Sequence, residues 1–129
     1  MAAELFKAKT NIVWAKEKGD IYMLGAPIND LDLEAIKDSV APKVYKLLEK
    51  SIGEAETYAK ANSYDNASIF MSNKKGFLFK ESEIILEAGA SVEITFALNP
   101  NKAGDQVFLN LKKVIQLKEV EEPSEEVVL

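Results

Sequence analysis

The hydrophobic period of this chain changes twice, from two to between three and four and back to two, and that switching decides which segments can be strand and which helix. The clearest segment is SVEITFALN, residues 91–99. It places Val92, Ile94, Phe96 and Leu98 on one face and Ser91, Glu93, Thr95 and Ala97 on the other, as a half-buried antiparallel strand requires. Residues 4–28 predict a two-stranded hairpin, with the β-prone runs TNIVWA and DIYMLGAP around KEKGD. Gly19 supplies the positive φ of the reversal, and Pro27 ends the second strand.

Leu31, Leu33, Ile36 and Val40, then Val44, Leu47, Leu48, Ile52, Ala55, Tyr58 and Ala59, recur at steps of three and four, the stripe of an amphipathic helix. Pro42 divides it into a short helix ending near Val40 and a second helix with Pro42 in its first turn, running to about Lys60. Asp30 or Asp32 is the expected N-cap. From Ala67 the period returns to two. ASIFMS, the turn NKKG and FLFK predict a second hairpin, and QVFLNLKKVIQLKEV a last strand. In that strand Val107, Leu109, Leu111, Ile115 and Leu117 share the core parity, with Lys113 as a misfit. Phe108, Asn110, Lys112, Val114 and Gln116 take the opposite face. Strands, helices and four more strands predict a mainly β (α+β) fold, either an α+β sheet or a small closed barrel with one helical insertion.

With 129 residues the chain is long enough for one domain, here residues 1–118, followed by a tail, 119–129. There is no cysteine, histidine or arginine, which excludes thiol and imidazole chemistry and the soft-ligand metal sites. Asp30 and Asp32 lack the third acid and the glycine of a calcium loop, so capping is their expected role. With no phosphate-cradling glycine loop and no paired-acid motif, neither an enzyme nor a cofactor is expected. MAAELFKAKT carries no apolar signal region, and no stretch approaches the ~20 apolar residues of a membrane span. A cytoplasmic protein without membrane association follows as the expectation, in which the Asn66-Ala67-Ser68 sequon is chance.

Charge is unevenly placed. The chain has 16 lysines and 21 acids, while residues 1–118 hold 16 of each, so the net charge of −5 lies wholly in 119–129. Such a run, broken by Pro123 and lacking aromatics, does not fold alone. It is either a solubilising tail or bait for a basic, pocketed partner, with Glu121, Glu122, Glu125, Glu126 and the apolar end Leu129 as contacts.

Aromatic and lysine surfaces suit single-stranded nucleic acid, whose bases stack on rings while lysines meet phosphates. Phe108, on the parity of Lys112, is the strongest such residue; its ring faces either a ligand or a packing contact. Trp14 shares parity with Phe6, Ala8, Thr10 and Ile12, which predicts core unless a bulge reverses it. Parity leaves Tyr22, Phe70, Phe77 and Phe79 unassigned. The candidate contact set is Phe108, Lys112, Trp14, Lys16, Lys18, Tyr22, Lys74, Lys75 and Phe77. The terminal strand 106–117, if exposed, could also pair with a second copy of the chain in a homodimer.

GASVEITFALNPNKAGDQVFLNLKKVIQLKEV, residues 89–120, resembles the closing hairpin of single-stranded-DNA-binding proteins of tailed bacteriophages. Gly89 precedes the alternating strand, Gly104 sits in the following loop, Leu111 and Val114 fall in the last strand, and glutamates close the chain. Gln116 stands one place later than in that family, and the last residue is Leu129 where the best-known members have an aromatic. The resemblance implies an oligonucleotide-binding (OB) barrel of five or six antiparallel strands. It also implies sequence-tolerant DNA binding in phage replication or recombination within the host cytoplasm. The acidic tail would then recruit replication or recombination proteins and compete with DNA for the lysines. The alternative from a different class is an acidic protein-interaction module, an inhibitor or small structural protein.

Overall fold

A computed structural model describes residues 5–117. Six strands, β1 (Leu5–Asn11), β2 (Trp14–Lys18), β3 (Ile21–Pro27), β4 (Ser68–Lys74), β5 (Ser91–Pro100) and β6 (Val107–Gln116), form one sheet in the order β1-β5-β6-β4-β3-β2. All neighbours are antiparallel except β4 and β6, which are parallel through Ser72 and Asn110. Two helices, α1 (Leu33–Ser39) and α2 (Pro42–Ala61), form the single insertion between β3 and β4. The fold is mainly β, with the sheet open between its edges β1 and β2. Among the described residues no helix is long and apolar enough to cross a membrane.

The core is the inner face of this sheet closed by α2. Leu24, Met71, Val92, Ile94, Phe96 and Leu111 are fully buried, with Leu48 of α2 and Ile36 of α1 set against them. The helix boundaries follow local chemistry. Asp32 accepts the Ala35 N–H and caps α1, while Asp30 instead accepts the Thr10 hydroxyl at 2.6 Å. Pro42 opens α2 in the first turn, where its missing N–H leaves no bond unmade. Gly19, with φ of 60°, makes the β2–β3 reversal.

Three expectations are corrected. FLFK is not a strand: Lys75–Phe77 form a 3-10 turn and residues 78–90 run without regular structure. β4 already has β3 on one edge and β6 on the other, so no edge remains for a returning hairpin partner. The irregular segment instead seals the rest of β6, with Phe79 N–H donating to Lys112 O and Glu83 N–H to Val114 O, both at 2.7 Å. Three strands therefore follow the helices rather than four. For the same reason β6 is not an exposed terminal strand, since β5 and β4 flank it, and the free edges belong to β1 and β2.

The third correction concerns the parity of β6. Thr95 pairs with Lys113 and Phe96 with Leu111, so Lys112 is an extra residue, a β-bulge. Alternation restarts after it: Val114 is fully buried, whereas Ile115 and Leu117 are only partly covered. Lys113, the misfit of a regular strand, is thereby turned out of the core.

Thr95 is 2% exposed, and its hydroxyl has no hydrogen-bond partner among the described residues. A buried hydroxyl without a partner costs roughly 1–3 kcal/mol relative to an apolar isostere. Thr95→Val is expected to raise the melting temperature by about 4 °C or more, read by calorimetry.

Candidate nucleic-acid interface

Ile12 is buried but Val13 and Trp14 are exposed, because the chain bends between β1 and β2. The bend is fixed by two backbone bonds to different parts of the sheet, Ile12 N–H to Ala90 O and Val13 N–H to Gly25 O. It reverses the strand parity, so Ala15 packs against the core and Trp14, Lys16 and Lys18 face outward. Trp14, expected in the core on uninterrupted parity, is therefore a surface residue.

The register then assembles one face from four strands. Trp14 lies opposite Gly25 and Gly25 opposite Phe70, making a first row. Lys16, Met23, Ser72 and Asn110 make the second, and Lys18, Ile21 and Lys74 the third. Two residues before the Ser72–Asn110 pair stand Phe70 and Phe108, which line one trough of about 330 Å³ together with Ser51 and Ala55 of α2. From Trp14 to Phe108 the first row spans three strand spacings, roughly 14 Å.

Gly25 permits this arrangement. The Trp14 indole lies across it and stacks on Phe70, with ring centroids 5.8 Å apart and planes 19° from parallel. A Cβ at residue 25 would overlap indole atoms Nε1, Cδ1 and Cε2. Phe70 is 46% exposed and Phe108 53% exposed, so both rings present surface to a ligand. Phe77, at 64% the most exposed of the phenylalanines, sits beside the third row with Lys74 Nζ 5.7 Å from its ring centroid.

The lysines divide by partner. Lys75 forms an ion pair with Glu17 and is a weak candidate for phosphate contact. Lys16, Lys18, Lys74 and Lys112 have no carboxylate partner among the described residues. Lys16 stands in the row next to the aromatic one, Lys18 and Lys74 in the row after that, and Lys112 lies two residues beyond Asn110 along β6.

Tyr22 does not belong to this surface. It is fully buried, and its hydroxyl donates to Ile85 O at 2.6 Å, so no ring face is left for a base. Its parity on β3 is that of Leu24 and Ala26, both buried. Phe70 is the functional candidate that sequence reasoning left unassigned. Its signal was present in ASIFMS, where Phe70 shares parity with Ser68 and Ser72 while Ile69 and Met71 take the apolar face. The tail residues Glu121, Glu122, Glu125, Glu126 and Leu129 lie outside the described residues.

Among the described residues no three acids gather closely enough to hold a metal ion. Comparison with protein families, with curated proteins and with solved structures gives no match for this chain.

Proposed function

We propose that this chain binds single-stranded DNA with little sequence preference, on the outer face of β2, β3, β4 and β6. The observation that carries this reading is the Trp14–Phe70 stack over Gly25, continued by exposed Phe108, with Lys16 in the next row of the same face and Lys18 and Lys74 in the row after it. Every base has a π-face, so a row of rings accepts any sequence, while unpaired lysines meet the phosphates and release counterions.

An OB-like barrel is the finer description of the fold in this reading. β1 and β2 are separated by two residues yet lie at opposite edges of the sheet, as one bent strand would if it joined both edges. Counted as a single strand, they make β3 and β4 the second and third strands, whose outer face is where OB folds take oligonucleotides. A role in phage replication or recombination, in the host cytoplasm, fits this reading. Residues 119–129 would then recruit partner proteins and occupy the lysines as a competing polyanion.

The test is anisotropy of a labelled oligo-dT titrated with the full chain and with a chain ending at Lys118, at two salt concentrations. Tighter, salt-sensitive binding by the shorter chain is expected, and flat traces for both at micromolar protein would overturn the proposal. Lys16→Gln, Lys18→Gln and Lys74→Gln combined should flatten the plot of log affinity against log salt by about 2, since each phosphate contact on a single strand contributes ~0.7.

A further inference from the structure

A second groove, of about 780 Å³, opens where the aromatic row ends at Trp14. It runs between the C-terminal end of α2 and the bend before β2, and it shares Ala55 and Ser68 with the trough that holds Phe70 and Phe108. Its outer wall is a product of how α2 stops. Asn62 ends the helix and Ser63 turns into the left-handed region with φ of 62°. Ser63 N–H then bonds Lys60 O, and Tyr64 N–H bonds Ala59 O at 2.8 Å. This pair of bonds is the Schellman motif, which folds the residue after the turn back on the helix. Tyr64 is thus brought against Tyr58, with ring centroids 6.1 Å apart.

Neither tyrosine contributes to the core: Tyr58 is 62% and Tyr64 58% exposed. Ser63 takes the left-handed position where glycine is the usual residue. The polar lining is Ser63, Asp65, Asn66 and Ser68, whose side chains make no hydrogen bond to other described residues. No lysine lines the groove, while Lys60 lies in the adjoining depression on the other side of Tyr64. Aromatic walls and polar groups suit a base inside, and Lys60, which shares the adjoining depression with Glu56 and Asp65, stands outside.

We infer that the single strand leaves the sheet at Trp14 and places its next base, unstacked from its neighbours, in this groove between Trp14 and the Tyr58–Tyr64 pair. Asp65, which can only accept hydrogen bonds, faces the base edge and favours an exocyclic amino group, as on cytosine. This inference rests on the single-strand reading above and extends it from a platform to a platform with a base subsite.

The experiment is an anisotropy series with labelled oligo-dT of increasing length, on the full chain and on Tyr58→Ala/Tyr64→Ala. The parent should gain affinity in a step once the strand is long enough to reach the groove. The double variant should lose that step, by roughly 5- to 140-fold, while binding the shortest oligonucleotides as the parent does. Tyr58→Phe/Tyr64→Phe keeps both rings and should restore the step. Equal lengths of oligo-dC and oligo-dT then read the edge contact: the parent favours dC, and Asp65→Ala reduces that ratio. Length curves that coincide for parent and double variant overturn the subsite while leaving the platform standing, and an unchanged dC-to-dT ratio overturns the Asp65 contact. Absence of binding at every length overturns the single-strand reading and the subsite together.

Discussion

Replacing Trp14, Phe70 and Phe108 together by alanine is expected to weaken binding of oligo-dT by at least two orders of magnitude while leaving the chain folded. Each base–ring stack is worth about 1–3 kcal/mol, so loss of three stacks gives at least ~3 kcal/mol, or more than 100-fold. The fold should survive the change because none of the three rings belongs to the buried core: Trp14 is 37%, Phe70 46% and Phe108 53% exposed. Within the folded chain they give up the Trp14–Phe70 stack, worth about 0.5–1.5 kcal/mol beyond the apolar area the rings cover. Gly25→Val tests the same site from beneath. Its side chain would occupy the space of the indole and push Trp14 off Phe70. It should therefore cost as much binding as Trp14→Ala, and little more when added to Trp14→Ala, because both act on one ring. Anisotropy and thermal melting of the parent, the triple variant, Gly25→Val, Trp14→Ala and the last two combined decide the matter. Undiminished binding by the triple variant would remove the aromatic row from any role in DNA recognition.

Much of this architecture is legible from local pattern. Val92, Ile94, Phe96 and Leu98 are buried as expected, although Thr95 and Ala97 on the opposite face are buried as well; Pro42 opens α2, and Asp32 caps α1. Parity failed at the bend between Ile12 and Val13 and at the bulge of Lys112. Each inserts an offset that depends on a partner strand distant in sequence, and a count along one segment has no access to it. FLFK failed for a related reason: its composition suits a strand, but both edges of β4 are taken by β3 and β6. The candidate surface was accessible in part. Phe108 and Phe70 each stand on the polar parity of their strands, whereas Trp14 needed the bend, and its contact with Phe70 needed the register of three strands. Tyr58 and Tyr64 were less accessible still. Tyr58 falls on the apolar stripe of α2, and only the Schellman turn beyond the helix brings Tyr64 to it.

Tyr22 supplies the largest expected stability effect. The ring fills the inner face of β3, and the hydroxyl pins the irregular segment 78–90 through Ile85 O. Tyr22→Ala removes both and is expected to cost about 3–5 kcal/mol, lowering the melting temperature by more than about 10 °C. Tyr22→Phe keeps the ring and orphans the Ile85 carbonyl, a loss of about 1–2 kcal/mol that isolates the hydrogen bond. The two variants also separate in pH. Burial raises the Tyr22 hydroxyl above its ordinary pKa of 10.0, so the folded chain holds this proton more tightly than the unfolded chain does. Below pH 10 both states keep it and the group adds no pH dependence. As pH rises from 10 towards the folded value the unfolded chain loses it first, and stability falls. Denaturant titrations across pH 8 to 11 should therefore show a decline in the parent that is shallower in Tyr22→Phe. An equal decline in both would mean that the hydroxyl is not held in the protonated form by burial. At neutral pH, Tyr22→Phe should bind oligo-dT as the parent does, since its ring lies beneath the sheet that carries Trp14 and Phe70 on its other side. Weakened binding at unchanged stability would place Tyr22 back among the DNA contacts and contradict its burial.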